Sequence, residues 1–228
     1  MTANISLDPK NLISPSELVL LNGEQFAKKV LLGNIQLLHT DVSVSIAQLA
    51  QAMLTAAVLA DEAAGNIHLD VRQGKAMFGL RKVNNLYANP TPQPNQWPQY
   101  SLESKLPEIA TQLMNDEDSH QVSNLIYAWL RQDSAQPWQS AIEMVKQGMA
   151  ERGLLDRTEE KRLKVLTVVN YSLPSTTAEM TRQLPVQPVK QLLDTCASSR
   201  QDIWGLLEKE LKKAIKDRTE QDNDVDFD

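Results

Sequence analysis

Histidine, cysteine, serine and the acidic residues are where a chain shows hydrolytic, redox or metal chemistry, and in this sequence none of them falls into a working spacing. His39, His68 and His120 lie in three separate segments without an HxxxH pair. No Gly-x-Ser-x-Gly elbow or glycine-rich phosphate loop occurs among the eight glycines. One cysteine, Cys196, supports neither a disulfide framework nor a multi-cysteine zinc site, and reads as a buried, unreactive thiol in a reducing compartment. Asp222, Asp224, Asp226 and Asp228 alternate, but lack the bend glycine and terminal glutamate of a calcium loop. The expectation is a protein that is not an enzyme and uses no cofactor or metal. What remains is charge. Arg72, Lys75, Arg81 and Lys82 gather on one predicted hairpin, and Arg157, Lys161, Arg162 and Lys164 on another. Such clusters are either solvated strand faces or surfaces for anions and lipid headgroups. Phe78, near the first hairpin tip, is either core or a shallow membrane contact.

Composition narrows the partners. With 42% hydrophobic residues, 228 residues can bury a substantial core in one packed unit. A net charge of −6 argues against nucleic acid as the main partner, because duplex binding draws its affinity from clustered cations. No basic-then-apolar leader is read at the N-terminus. The longest apolar run, Val42 to Ala60, is interrupted by Ser43, Ser45, Gln48, Gln51 and Thr55, which suits a buried helix better than a membrane span. A cytoplasmic, soluble or peripherally membrane-associated protein is expected.

The elements that must carry the charges follow from periodicity and punctuation. Ser14, Pro15 and Glu17 form a capping signature for a helix that continues to Gly33 unless Asn22-Gly23 divides it. Ile35–His39 alternates as a strand. Ser45 with Gln48 caps a helix that is apolar nearly all round and therefore central, with Leu54 and Val58 deep in the core. Gly65 ends it, and Ile67–Arg81 reads as a hairpin turning at Gln73-Gly74, with Met77, Phe78 and Leu80 on the return. Four prolines in residues 84–100 predict an irregular crossover, or less readily a proline-rich ligand. Pro107–Met114 is a short helix with Ile109 and Leu113 inward, and Ser119–Trp129 makes the next. The second copy of the helix–glycine–hairpin pattern runs from Pro137 through Gly153 to a Leu163–Tyr171 strand, with Ile142 and Val145 buried. A last amphipathic helix spans Asp202–Arg218. The fold class expected is mainly α, a compact helical domain over residues 14–216 with two helix–wing (winged-helix-like) units. A polar tail (1–13) precedes it, and an acidic disordered tail (217–228) follows.

Helix followed by wing raises the possibility of DNA binding, but the first helix has no Lys or Arg and the second balances Glu143 and Glu151 against Lys146 and Arg152. Neither suits a recognition helix. "QAMLTAAVLADEAAGNIHL", "GMAERGLLDRTEEKRLKVLTVVNYSLP" and "SELVLL" together resemble the Golgi phosphoprotein 3-like family, in a bacterial-type member, over about Ser14 to Pro174. The resemblance implies a mostly helical peripheral membrane protein. Eukaryotic members bind phosphatidylinositol 4-phosphate and retain glycosyltransferases. The family's headgroup pocket uses arginines and a tryptophan; the matching stretches, "SIAQLAQ" and "WQSAIEMVKQ", offer only Trp138 and Lys146. The expected function is a membrane or protein adaptor binding anionic lipid or phosphoinositide headgroups through Arg72, Lys75, Arg81, Lys82, Trp138 and Lys146. The alternative is a winged-helix-like scaffold or regulator touching proteins or DNA through its wings.

Overall fold

The computed structural model describes residues 13–76, 81–93, 95–113, 119–131, 136–162 and 166–223. Among these the chain is mainly α, with strands confined to antiparallel two-stranded ribbons. Helix α1 (Pro15–Leu21) opens on the expected cap: the Ser14 backbone N–H donates to Glu17 Oε2 at 2.8 Å. The helix stops at Asn22, a 3-10 turn occupies Gly23–Gln25, and no helix reaches Gly33. The next strand is shorter than expected. Strand β1 (Asn34–Gln36) pairs with β2 (Ser43–Ser45), while Leu37 leaves the ribbon to bury its side chain.

Helix α2 (Ile46–Ala63) is the centre of the molecule. The Gln48 backbone N–H donates to Ser45 Oγ at its start, and every residue from Met53 to Asp61 is buried. Helices α1, α3, α5, α7 and α8 all pack against it. It ends at Gly65, whose φ of +77° reverses the chain as only glycine does freely. The ribbon that follows, β3 (Ile67–Ala76) with β4 (Arg81–Pro90), departs from expectation twice. Gln73 and Gly74 do not turn; they pair with Asn84 and Val83. The turn, with Met77, Phe78 and Leu80, lies outside the described residues. The strand also continues through Asn84–Pro90, half of the supposed crossover, because Pro90 is the last residue of an edge strand, where its missing N–H costs no ladder bond. Beyond Pro90 the chain is irregular but anchored. The Thr91 N–H donates to the Asn66 carbonyl at 3.0 Å, and the Trp97 indole N–H to Asp61 at 2.7 Å.

Helix α3 (Leu102–Gln112) begins well before Pro107, capped by Ser101, so that Leu102, Leu106 and Ala110 are fully buried and the expected Ile109 and Leu113 pack partly buried against the core. Helix α4 (Val122–Trp129) and helix α5 (Pro137–Glu151) follow as read, and Leu54, Val58, Ile142 and Val145 are all buried. Gly153, at φ +73°, leads α5 into β5 (Asp156–Arg162) and β6 (Leu166–Ser172), the second ribbon. Lys164 and part of its turn lie outside the described residues. Helices α6 (Ser175–Gln183), α7 (Gln187–Ser199) and α8 (Gln201–Asn223) complete the chain. The last runs through Asp217–Asn223, so that part of the expected tail is helical; 1–12 and 224–228 lie outside the described residues.

One contact sets how closely α5 approaches the crossover. A Cβ on Gly148 would stand 2.2 Å from the Tyr100 carbonyl oxygen, whereas one on Gly205, in α8, would meet nothing within 4 Å. Gly148→Ala is expected to destabilise the protein by about 1–3 kcal/mol, as overpacking does. Gly205→Ala should stabilise it by roughly 0.5–1 kcal/mol through helix propensity. Urea unfolding of the two variants side by side checks both; equal midpoints would refute the close approach.

Candidate functional site: a basic surface joining the first ribbon to the last helix

Strand alternation divides the four basic positions of the first ribbon. Lys75 is paired directly with Lys82, and Ala76 with Arg81. Positions 75 and 82 therefore share one face while 72 and 81 share the other. Lys82 is exposed. Arg72 is held in place. Its Nε donates to Asp70 at 2.7 Å, its Nη2 to Asn89 at 3.0 Å, and its guanidinium lies 4.6 Å from the Tyr87 ring centroid.

Trp138 and Lys146 are not assembled with that ribbon into a pocket. Trp138 is half-buried against the core. Lys146 is buried; its ammonium donates to Glu143 at 2.9 Å and lies 5.9 Å from the Tyr171 ring. Its charge is thus already answered within α5 and by β6.

What the structure adds is α8. Ile203, Leu207, Leu211 and Ile215 face the core, and the opposite side carries Lys209, Lys212, Lys213 and Lys216, all exposed and within about one third of the helix circumference at 100° per residue. Lys209 Nζ donates to the Asn84 carbonyl at 2.8 Å and to Asn85 Oδ1 at 3.1 Å. That contact joins the lysine stripe to β4, two residues from Lys82. The 3- and 4-residue spacing of these lysines was available in the sequence; their neighbour was not, because it lies 125 residues away.

A second feature is an open cleft of about 1020 Å³ between α2, α7, α8 and the segment after α1. Phe26, Trp204 and Gln48 line it, together with Lys28, Lys29 and Lys190 and three acids, Glu24, Asp194 and Glu208. Opposite charges balance in it, so it holds no strong field for either sign.

Buried carboxyls form a third group, and their surroundings explain why they serve folding. Glu103, fully buried on α3, accepts from the Ser16 N–H at 2.6 Å and from the Ser16 hydroxyl at 3.0 Å. Glu17, also fully buried, is paired with Arg152 at the end of α5. Asp61 accepts from Asn66 at 3.0 Å and from Trp97, while its other oxygen is buried without a partner. Burial pushes all three above the ordinary carboxylate range. For Glu17 it outweighs the attraction of Arg152, and for Glu103 burial and the neighbouring Glu17 charge raise the value to about 7.

The histidines are scattered: His39 and His68 are exposed, and His120 is half-buried beside Asn89. Among the described residues no cluster of His, Cys, Asp and Glu has the makings of a metal site, and no helix is long and apolar enough to cross a membrane. Cys196 is buried, which raises its thiol pKa. The chain matches no family model, no curated protein and no solved structure.

The acid at position 103 generates a pH prediction. Glu103 ionises near 4.5 when exposed and near 7 in the fold, so between these values the folded state holds more protons than the unfolded one. Its contribution to stability is full below about pH 4.5 and declines as the pH rises toward 7. Glu103→Gln keeps an oxygen for Ser16 and cannot ionise. It is expected to flatten the fall in Tm between about pH 5 and 8. An unchanged slope would show that the carboxyl is ionised throughout.

Proposed function

We propose that this protein is a non-enzymatic peripheral adaptor of the Golgi phosphoprotein 3-like type, working in the cytoplasm at anionic membrane surfaces. The observation that carries the reading is the docking of Lys209 onto β4, which makes one basic surface from the α8 stripe and the first ribbon. A juxtamembrane Lys or Arg contributes about 1 kcal/mol at an anionic leaflet, so several on one surface are enough for reversible attachment despite the overall negative charge. With no arginine in the stretches "SIAQLAQ" and "WQSAIEMVKQ", and Lys146 already engaged, recognition is by charge density rather than by one phosphoinositide headgroup.

The two helix–glycine–ribbon units are read as helix–wing units whose wings are contact arms. A protein partner on the second wing is the companion reading. It is favoured by one observation: Asp156 to Lys161 are exposed at every position, so neither face of β5 is packed on the body. DNA suits this architecture poorly, since α2 is enclosed and cannot enter a groove.

Co-sedimentation with phosphatidylserine-containing vesicles tests the proposal. Binding should fall with added salt. Replacing Lys212, Lys213 and Lys216 together by Gln should weaken it by about tenfold or more, as should the set Arg72, Lys75, Arg81 and Lys82 to Gln, with Tm nearly unchanged. A wild-type protein that ignores anionic vesicles at low salt would refute the membrane reading in favour of wing-mediated protein contact.

A further inference from the structure

We propose that the loop Val30–Leu32 is a bilayer-insertion tip that anchors this protein once its basic surface has met the membrane; the inference rests on the membrane reading above. Scattered exposed leucines are ordinary on a protein surface. Here three apolar residues are exposed in succession, with Leu31 at 95% and Leu32 at 90%, values that leave both side chains almost free of protein contact. The sequence pattern predicted a helix to Gly33 here, which would have turned some of these residues inward; the chain instead leaves the helical path at Asn22 and presents them to the outside.

The tip is built rather than slack. The Asn34 side-chain amide donates to the Val30 carbonyl at 3.1 Å and to the Leu31 carbonyl at 3.0 Å. The Ile46 N–H donates to the Gly33 carbonyl at 3.0 Å, and the Ser45 N–H to the Lys28 carbonyl at 2.9 Å. At the base, the Lys28 N–H donates to Gln48 at 2.9 Å. Carbonyls at 28, 30, 31 and 33 therefore have partners before any ligand arrives. That matters for a lipid occupant, because a peptide carbonyl carried into hydrocarbon without a partner is heavily penalised.

Charge identifies the occupant further. From Phe26 to Thr40 the only charged side chains, with histidine neutral, are Lys28 and Lys29. They stand exposed immediately before the tip. A leucine pair with two ammonium groups directly behind it matches the cross-section of an anionic leaflet, with acyl chains at the depth of the leucines and phosphates at the depth of the lysines. Glu24 and Asp41 flank that stretch, and Lys28 and Lys29 share their cleft with Glu24, Asp194 and Glu208, so the apolar tip rather than net charge must carry the insertion.

The experiment is vesicle partitioning of Leu31→Ser/Leu32→Ser against the wild type, on phosphatidylserine–phosphatidylcholine vesicles over a range of salt. Because both side chains are exposed, far-UV dichroism and Tm should not change. Burying a leucine contributes a free energy worth roughly tenfold in a partition constant, so the double variant should bind about a hundredfold more weakly at high salt and retain a salt-sensitive residue of binding at low salt. An environment-sensitive dye on Leu31→Cys, which labels selectively because Cys196 is buried, should shift to the blue on vesicles and be quenched by brominated acyl chains. If the wild type binds in a salt-dependent manner while the double variant binds equally and the dye does not shift, the insertion tip is refuted and the basic-surface reading stands. If the wild type does not bind, both fall. A wild-type dimer in sedimentation velocity that the double variant loses would also overturn the proposal, assigning the leucines to a second copy of the chain.

Discussion

Enclosing α2 is the constraint to which the rest of the molecule answers. Nine consecutive buried residues, Met53 to Asp61, leave the second half of this helix no solvent face along their length, so five other helices are recruited around α2 from both ends of the chain. Hydrophobic burial on that scale is the dominant favourable contribution to folding. The first ribbon joins this core at its base, where Ile67, Leu69, Leu86 and Ala88 are buried, while the first strand of the second ribbon is exposed along Asp156–Lys161. Two carboxylates stand near the end of this helix: Glu62, paired with Arg200 of the chain before α8, and the fully buried Asp61. Asp61 is answered by Asn66 and by the indole of Trp97, and in this way the desolvation of a single carboxyl holds the proline-rich crossover against the core.

The same burial changes how the net charge should be read. Glu17, Asp61, Glu103 and Glu210 are all at 0% exposure, so four of the 29 acidic residues contribute little to the field outside the protein. Glu17 is neutralised by Arg152, and Glu103 is partly protonated near pH 7. The lysines of α8, by contrast, are all exposed, with Lys216 paired to Glu220 on the surface at 3.4 Å and Lys209 docked on Asn84 and Asn85. A formal charge of −6 therefore understates how positive this surface can be locally.

The fold was legible where local chemistry and tertiary packing agree. Glycines 65 and 153 end their helices in the left-handed conformation and start ribbons, as the repeated pattern indicates, and the Ser14–Glu17 cap forms as written. It was illegible where a long-range partner overrides a local preference. Asn84–Pro90 has the composition of a coil but is a strand because Ile67–Gln73 lies beside it; Pro107 suggests a helix start but falls inside α3, whose cap at Ser101 is the stronger signal. The candidate surface divides in the same way. Charges on the first ribbon and the spacing of the α8 lysines are sequence features, while their junction through Lys209 and the outward turn of Leu31 and Leu32 depend on contacts that periodicity does not contain.

The backbone meeting of Gly148 with Tyr100 has a consequence for anyone who recombines pieces of this chain. Tyr100 itself is held at a φ of +67°, and its carbonyl lies where a Cβ at position 148 would stand. No side chain mediates the fit, which means that no compensating substitution on a side chain can restore it once a Cβ is introduced. A graft of α5 from another protein must bring a residue without a Cβ to that place, whereas the ribbon beyond Gly153 can be exchanged without reference to it. The seam between transplantable and untransplantable sequence falls at the end of α5.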